Sequence, residues 1–299
     1  MRTEALARKQ RRQDVQRLMA QRMRIGVVAP GTRIDPEMAA RVKAFAADAF
    51  LDRAPELVVH PQCFLSSGHF AGTDDERAEA FLETINDPSI DAVWIARGGY
   101  GACRIAEAVM GGYHESARKK PVLGYSDAGA ILGALYRVGF ERIAHGPMLV
   151  DIIRDGGEAA VKRALSFLIE QGPDTLELTV TPDVKTAAYN MMILSSILGT
   201  PLEPDLTDHV LMLEDVGEYM YRIDRTLFHV TSSPMVRKVR GIKLGRFSPV
   251  PKNDPDFGKT EEEVIRYWCS RADIPYLGRA DIGHDAANKV VPFGGLRSA

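Results

Sequence analysis

The chain has 299 residues, 45% of them hydrophobic, enough to bury a full core and, at this length, to divide into two packed domains. A charged fraction of 26% and a formal net charge of −2 exclude a global field that would draw the protein to nucleic acid or anionic lipid. No apolar run approaches the roughly 20 residues of a bilayer-crossing helix, and Cys63, Cys103 and Cys269 are too few and too scattered for a disulfide framework or a zinc knuckle.

In chain order, residues 1–22 form a basic extension: Arg2, Arg8, Lys9, Arg11, Arg12, Arg17 and Arg22 face only Glu4 and Asp14. Its composition reads as a short solvated helix, with a nucleic-acid arm as the sharper alternative. It lacks the apolar centre of a secretory signal, so the cytosol is the expected location. From Met23 strands and helices alternate. RIGVVA (Arg24–Ala29) is a strand, Pro36–Phe50 a helix, LVVH (Leu57–His60) a strand and Asp74–Ile85 a helix with acids in its first turn. AVWIA (Ala92–Ala96) is a third strand, ending in the turn Arg97-Gly98-Gly99-Tyr100-Gly101. Pro121–Gly124 is a fourth strand, Asp127–Val138 a helix and Arg142–Ala144 a fifth short strand. Short apolar strands between amphipathic helices predict a largely parallel sheet covered on both faces.

The rhythm changes after Asp151. A helix over Gly157–Gln171 leads to an alternating stretch, Thr175–Thr181, that reads as a half-exposed strand. Further strands are expected at Val210–Leu213, Val239–Leu244 and Lys289–Val291, with helices at Glu218–Val230 and Thr260–Arg271. The pattern divides the chain into an α/β domain over 23–171 and a smaller mixed α/β domain over 172–299.

Gly124-Tyr125-Ser126-Asp127-Ala128 lies between a strand and a helix, the setting in which an elbow lifts a serine hydroxyl to the edge of a sheet. The helix that follows aims free amides at any oxyanion beside Ser126, although the same serine would also serve as a plain N-cap. Gly98 or Gly99 supplies a possible second amide donor, since neighbouring parallel strands bring their C-terminal loops together. The turn fails as a dinucleotide fingerprint, because the GxGxxG spacing is missing. A serine nucleophile needs a base and an orienting carboxylate. His284, in Asp281-Ile282-Gly283-His284-Asp285, stands out as the base; its rivals are His145, in Ala144-His145-Gly146-Pro147, His209 before a strand and His229 on a helix, and periodicity does not choose between His145 and His284. Glu214 and Asp215 end an apolar strand, and either could orient an imidazole. The histidines do not cluster at metal-ligand spacing and HExxH is absent, so neither a metal nor a cofactor is expected.

Seven segments in order, RGGYG (97–101), KPVLGYSD (120–127), HGPM (145–148), LGTP (198–201), LEDVGE (213–218), YRIDR (221–225) and the closing GH…PFG (283–294), make the chain resemble the serine LD-carboxypeptidases, a group that includes the microcin-immunity peptidases. The resemblance runs from about Arg24 to Gly294. It implies a flavodoxin-like N-terminal domain joined to a smaller swivelling-type C-terminal domain, a homodimer, and release of D-alanine from murein tetrapeptide. By the same resemblance Ser126 is the nucleophile, Glu214 the orienting acid and His284 the base, and the amides of Asp127 and Gly99 form the oxyanion hole. An exopeptidase must also hold a free carboxylate. Arg97 is the candidate, with Gly98 and Tyr100 of the same turn as further substrate contacts. Ala187-Ala188-Tyr189-Asn190-Met191-Met192 stands where many relatives carry a GGN-type turn, which puts the substrate wall rather than the triad in question. Three rivals remain. A peptidase for nucleotide conjugates would need an aromatic platform, and Asp151–Tyr189 has only Phe167 and Tyr189. An α/β-hydrolase esterase shares the Ser–acid–His order, and a ligand-binding module would carry the triad as a vestige.

Overall fold

The computed structural model describes residues 22–296, so the basic stretch as far as residue 21 lies outside the described residues. The first sheet is built from β1 (Arg24–Val28), β2 (Glu56–Val59), β3 (Ala92–Ile95), β4 (Val122–Gly124) and β5 (Ile143–His145). All five are parallel neighbours, in the order β2-β1-β3-β4-β5. This is the flavodoxin-like order, in which the strand sequence reverses between β1 and β3 and opens a crevice at the carboxyl ends. The strands are short and apolar because helices cover both faces.

Helices α1 (Pro36–Phe50), α2 (Asp74–Asn86), α3 (Ala102–Gly112), α4 (Gly129–Arg137) and α5 (Gly157–Glu170) supply that cover. Proline opens α1 where its missing N–H costs nothing. A capping box starts α2: the Thr73 hydroxyl accepts from the Glu76 amide at 3.2 Å, and the Glu76 carboxylate accepts from the Thr73 amide at 2.7 Å.

A second sheet follows, formed by β6 (Lys185–Asn190), β7 (His209–Asp215), β8 (Gly241–Phe247) and β9 (Tyr276–Arg279), parallel throughout and in sequential order. Its helices are α6 (Met191–Ile197), α7 (Met220–Ser232) and α8 (Glu261–Ala272). One apolar core joins the two sheets: Ile131 and Leu135 of α4 lie in the same buried cluster as Tyr189 of β6, Leu194 of α6 and Leu227 of α7.

The chain then returns. β10 (Val291–Pro292) pairs antiparallel with β5 in the first sheet, and Gly294 bridges to Thr186 of the second. No helix among the described residues is long and apolar enough to cross a membrane.

The stretch Thr175–Thr181 corrects the sequence reading, because it is not a strand. Leu176 makes one isolated bridge to Val290, and Leu178 is 93% exposed while Glu177 is buried. The chain turns there because the Glu177 carboxylate accepts from the Thr179 amide at 2.6 Å and pairs with Lys243 at 3.3 Å. That buried ion pair overrides the alternation of apolar residues. Four elements had no counterpart in the sequence reading: α3, β6, α6 and β9.

Candidate active site

Ser126 sits at the end of β4 with φ of +60°, and a 3₁₀ turn over Ser126–Ala128 carries the chain into α4. A left-handed serine costs ~1 kcal/mol or more, a strain that persists only where the surroundings over-determine it. Here β4 and the buried α4 hold it from both sides. The strained turn presents the hydroxyl instead of letting it cap its own helix. Its Oγ lies 3.1 Å from His284 Nε2, and His284 Nδ1 lies 2.5 Å from Glu214 Oε2. Glu214 comes from the buried end of β7 and is fully enclosed; its second oxygen, Oε1, has no hydrogen-bond partner among the described residues. With Glu214 ionised, Nδ1–H donates to it and Nε2 is left to accept the serine proton. Burial pulls the His284 pKa down, but the charge and hydrogen bond of Glu214 outweigh burial and hold it above its ordinary value.

The His284 loop is held from two sides. Arg246 of β8 donates from Nε and Nη2 to Asp285 at 2.5 and 2.9 Å and from Nη1 to Asp281 at 2.5 Å, clamping both ends of the loop. A Cβ on Gly283 would come within 2.9 Å of Arg246 Cβ, so the clamp requires glycine there. Inside the loop, Asn288 Oδ1 accepts from the Gly283 amide at 3.1 Å and meets His145 Nε2 at 3.3 Å. His145, the rival base, is thus buried beside the loop rather than against Ser126. Burial, only partly offset by the Glu214 charge, lowers its pKa to about 4, so it is neutral at physiological pH.

Asp215, the rival acid, does not meet the imidazole. Its Oδ1 accepts from Asn190 Nδ2 at 2.8 Å and from the Val216 amide at 2.9 Å, and burial raises its pKa to about 6. The Tyr125 ring packs between the two histidines, edge-on to His145 at 5.5 Å and tilted against His284 at 4.9 Å. Its hydroxyl donates to the buried Asp151 at 2.8 Å.

The glycine turn after β3 faces the serine. A Cβ on Gly98 would fall 3.0 Å from both Cβ and Oγ of Ser126, so only glycine permits this approach. The Gly98 carbonyl accepts from the amide and hydroxyl of Thr32, at 3.1 and 3.0 Å. Because the peptide is planar and trans, the Gly99 N–H points to the opposite edge, away from Thr32. Thr32 belongs to the loop after β1, so the strand reversal between β1 and β3 supplies the brace. The Asp127 carboxylate accepts from the Ala102 amide at 2.7 Å and ties the serine elbow to the start of α3. Burial, partly countered by such bonds, raises its pKa to about 6.

These groups open onto a cleft of about 480 Å³, bordered by Ser126, His284, Gly98, Gly99, Arg97 and Arg154. Arg97 is exposed and donates to the Arg33 carbonyl at 3.2 Å. Tyr100 does not border the cleft; it is 55% exposed, with its ring against His69 and Phe70. Among the described residues no group of three or more His, Cys, Asp or Glu side chains could hold a metal ion. Sequence reasoning passed over Thr32, Tyr125, Asp151, Arg154, Arg246 and Asn288. For Arg246 a signal existed, since Asp281 and Asp285 flank His284 and call for a cation.

The fold and site together define an α/β protein of two parallel sheets with a hydrogen-bonded Ser–His–Glu chain in an open cleft. The LD-carboxypeptidase N-terminal domain model matches residues 25–146, and the LD-carboxypeptidase C-terminal domain model matches residues 185–297. A protein of Synechocystis sp. that carries a carboxypeptidase name is 33% identical over 235 residues, 76% of this chain and 75% of its own length. The murein tetrapeptide carboxypeptidase of Pseudomonas aeruginosa is 28% identical over 242 residues, 76% of this chain and 78% of its own. The chain belongs to the LD-carboxypeptidase family. Among solved structures, the muramoyltetrapeptide carboxypeptidase from Oxalobacter formigenes has a TM-score of 0.73 at 23% identity, covering 91% of this chain and 93% of that one. The microcin C7 self-immunity protein MccF has a TM-score of 0.74 at 18% identity, covering 91% of each chain. At these identities the likeness concerns the fold.

Proposed function

We propose that the chain is a serine carboxypeptidase that hydrolyses the amide bond before a C-terminal D-amino acid, releasing D-alanine from murein tetrapeptide. The observation that carries this reading is the Ser126–His284–Glu214 chain, with contacts of 3.1 and 2.5 Å, opening onto a cleft. His284 Nε2 takes the proton as Ser126 Oγ attacks the scissile carbonyl carbon. The amides of Asp127 and Gly99 receive the oxyanion, each donor worth roughly 2.7–4 kcal/mol. The Glu214 carboxylate offsets the imidazolium charge. His284 then protonates the departing amine, and the free D-amino acid leaves. A water deprotonated by His284 attacks the acyl-enzyme, releasing the shortened peptide and restoring Ser126. On this reading Ser126 belongs to a domain over 23–171 and Glu214 and His284 to one over 172–299, and the enzyme works in the cytosol as a homodimer.

The family and the tetrapeptide carboxypeptidase named above support the substrate class. MccF is also known in complex with glutamyl sulfamoyl guanosine. For this chain Phe167 and Tyr189, the two aromatics of the linking stretch, are 6% and 0% exposed, so neither offers a stacking face to a nucleobase. The deciding experiment is D-alanine release from purified murein tetrapeptide, by mass spectrometry, with wild type and Ser126→Ala. Release by wild type alone is expected. Equal release by the variant would end the serine mechanism, and release by neither would move the search to nucleotide conjugates.

A further inference from the structure

Resting on that reading, we infer that Arg154, and not Arg97, holds the free carboxylate of the departing D-amino acid. In an exopeptidase this carboxylate lies one residue beyond the attacked carbonyl, and consecutive Cα atoms are about 3.8 Å apart. Its partner must therefore be a cation fixed beside the nucleophile. Two arginines border the cleft with Ser126 and His284, namely Arg97 and Arg154.

They are held very differently. Both are exposed, but Arg97 donates to a backbone carbonyl, that of Arg33 at 3.2 Å. Arg154 is anchored along one edge. Its Nε donates to Asp151 Oδ1 at 2.6 Å and its Nη2 to the Tyr125 hydroxyl at 3.2 Å. Asp151 is 1% exposed and is itself fixed by the Met148 amide and the Tyr125 hydroxyl, each at 2.8 Å. Tyr125 is the residue before Ser126, and its ring packs on His284. The guanidinium is thus tied to the same residue that carries the serine elbow.

A guanidinium has five N–H donors in a fixed fork. Here Asp151 and Tyr125 use one edge, and Nη1 makes no hydrogen bond among the described residues. The Arg154 side chain is 36% exposed, so this free end is open to a ligand. A pre-oriented fork loses little freedom on binding, which favours a planar carboxylate over an amide or an extended chain. The same tether explains how a residue on a short 3₁₀ segment and its exit, Leu149–Ile153 followed by Arg154, keeps a defined position.

The test compares two peptides of one sequence, ending in D-alanine or in D-alaninamide, with wild type, Arg154→Ala, Arg154→Lys and Arg97→Ala. Fluorophosphonate labelling of Ser126 reports for each variant that the reacting centre is assembled. Wild type is expected to prefer the free acid. Arg154→Ala should raise KM for the acid by on the order of 10- to 100-fold, the size of one charge-assisted hydrogen-bonded pair, with little change for the amide. Arg154→Lys should recover part of the preference, and Arg97→Ala should keep it. Labelled Arg154→Ala that still discriminates acid from amide as wild type does would overturn the inference, as would loss of the preference in Arg97→Ala alone. Wild type that releases no D-alanine would overturn the proposed function, and the assignment of Arg154 with it.

Discussion

Glu214 shows how much of the chemistry depends on a single enclosed residue. A buried carboxylate is tolerable only when paired, and His284 Nδ1 is its partner at 2.5 Å. The pairing also sets the pH response. On the mechanism above, kcat/KM falls as the pH drops through the His284 pKa, because the base must be neutral. Burial lowers that pKa and Glu214 more than restores it, so the acid limb should lie above the ordinary histidine value. Glu214→Gln keeps the shape and removes the charge. It should lower kcat by about 10²- to 10⁴-fold and move the acid limb to lower pH. A pH–rate profile checks both, and an unmoved limb would mean that Glu214 does not govern the base. The serine elbow was legible in GYSDA because strand, turn and helix are local. Whether His284 or His145, and Glu214 or Asp215, meet near Ser126 was not, since Ser126 and His284 lie 158 residues apart.

Loops, rather than the strands that bear them, fix the base. Arg246 reaches from β8 to both aspartates around His284, and Asn288 closes the loop from within. An exposed ion pair is worth little, but a three-bond clamp on partly buried partners restricts a whole segment. Arg246→Leu should lower kcat by roughly 10- to 100-fold while changing KM little, because about 1 Å of displacement of the base suffices for such a loss. Steady-state kinetics with fluorophosphonate labelling separates this from unfolding; unchanged kcat would show that the loop holds without the clamp. At this scale the sequence was a partial guide. The long amphipathic helices α1, α2, α5 and α8 were visible in their periodicity and caps. Helix α3 carries Ala102, Ile105, Ala106 and Val109 on one buried face, yet the glycine turn before it masked the pattern. Strand β6 reads KTAAYN, whose alanines have little strand preference; burial against β7 makes it a strand.

The whole molecule depends on a return of the chain. Residues 290–294 cross from the second half to pair with β5, and Gly294 exchanges hydrogen bonds of 3.0 and 2.9 Å with Thr186 of β6. Phe293, 2% exposed, packs against Tyr136 of α4 and Tyr189 of β6 at ring separations of 5.6 and 5.1 Å. This strap ties the sheet that carries Ser126 to the sheet that carries Glu214. Phe293→Ala should destabilise the protein by about 3–5 kcal/mol, read from the urea midpoint. If the sheets share one core, the wild type and the variant unfold in a single transition. A second transition appearing in the variant would show that the sheets are stable separately.

By itself the sequence determined the alternating α/β architecture, the parallel first sheet and the elbow at Ser126. These follow from apolar periodicity and turn chemistry within some twenty residues of one another. The ordered motifs also pointed to the family, to which the chain belongs. Tertiary structure alone decided the rest. It placed Tyr100 outside the cleft and folded Thr175–Thr181 into a turn around a buried ion pair. It brought Arg154 to the serine through Tyr125, and carried the last strand back to the first sheet. Each of these depends on which distant segments share a buried surface, and periodicity along the chain carries no record of that.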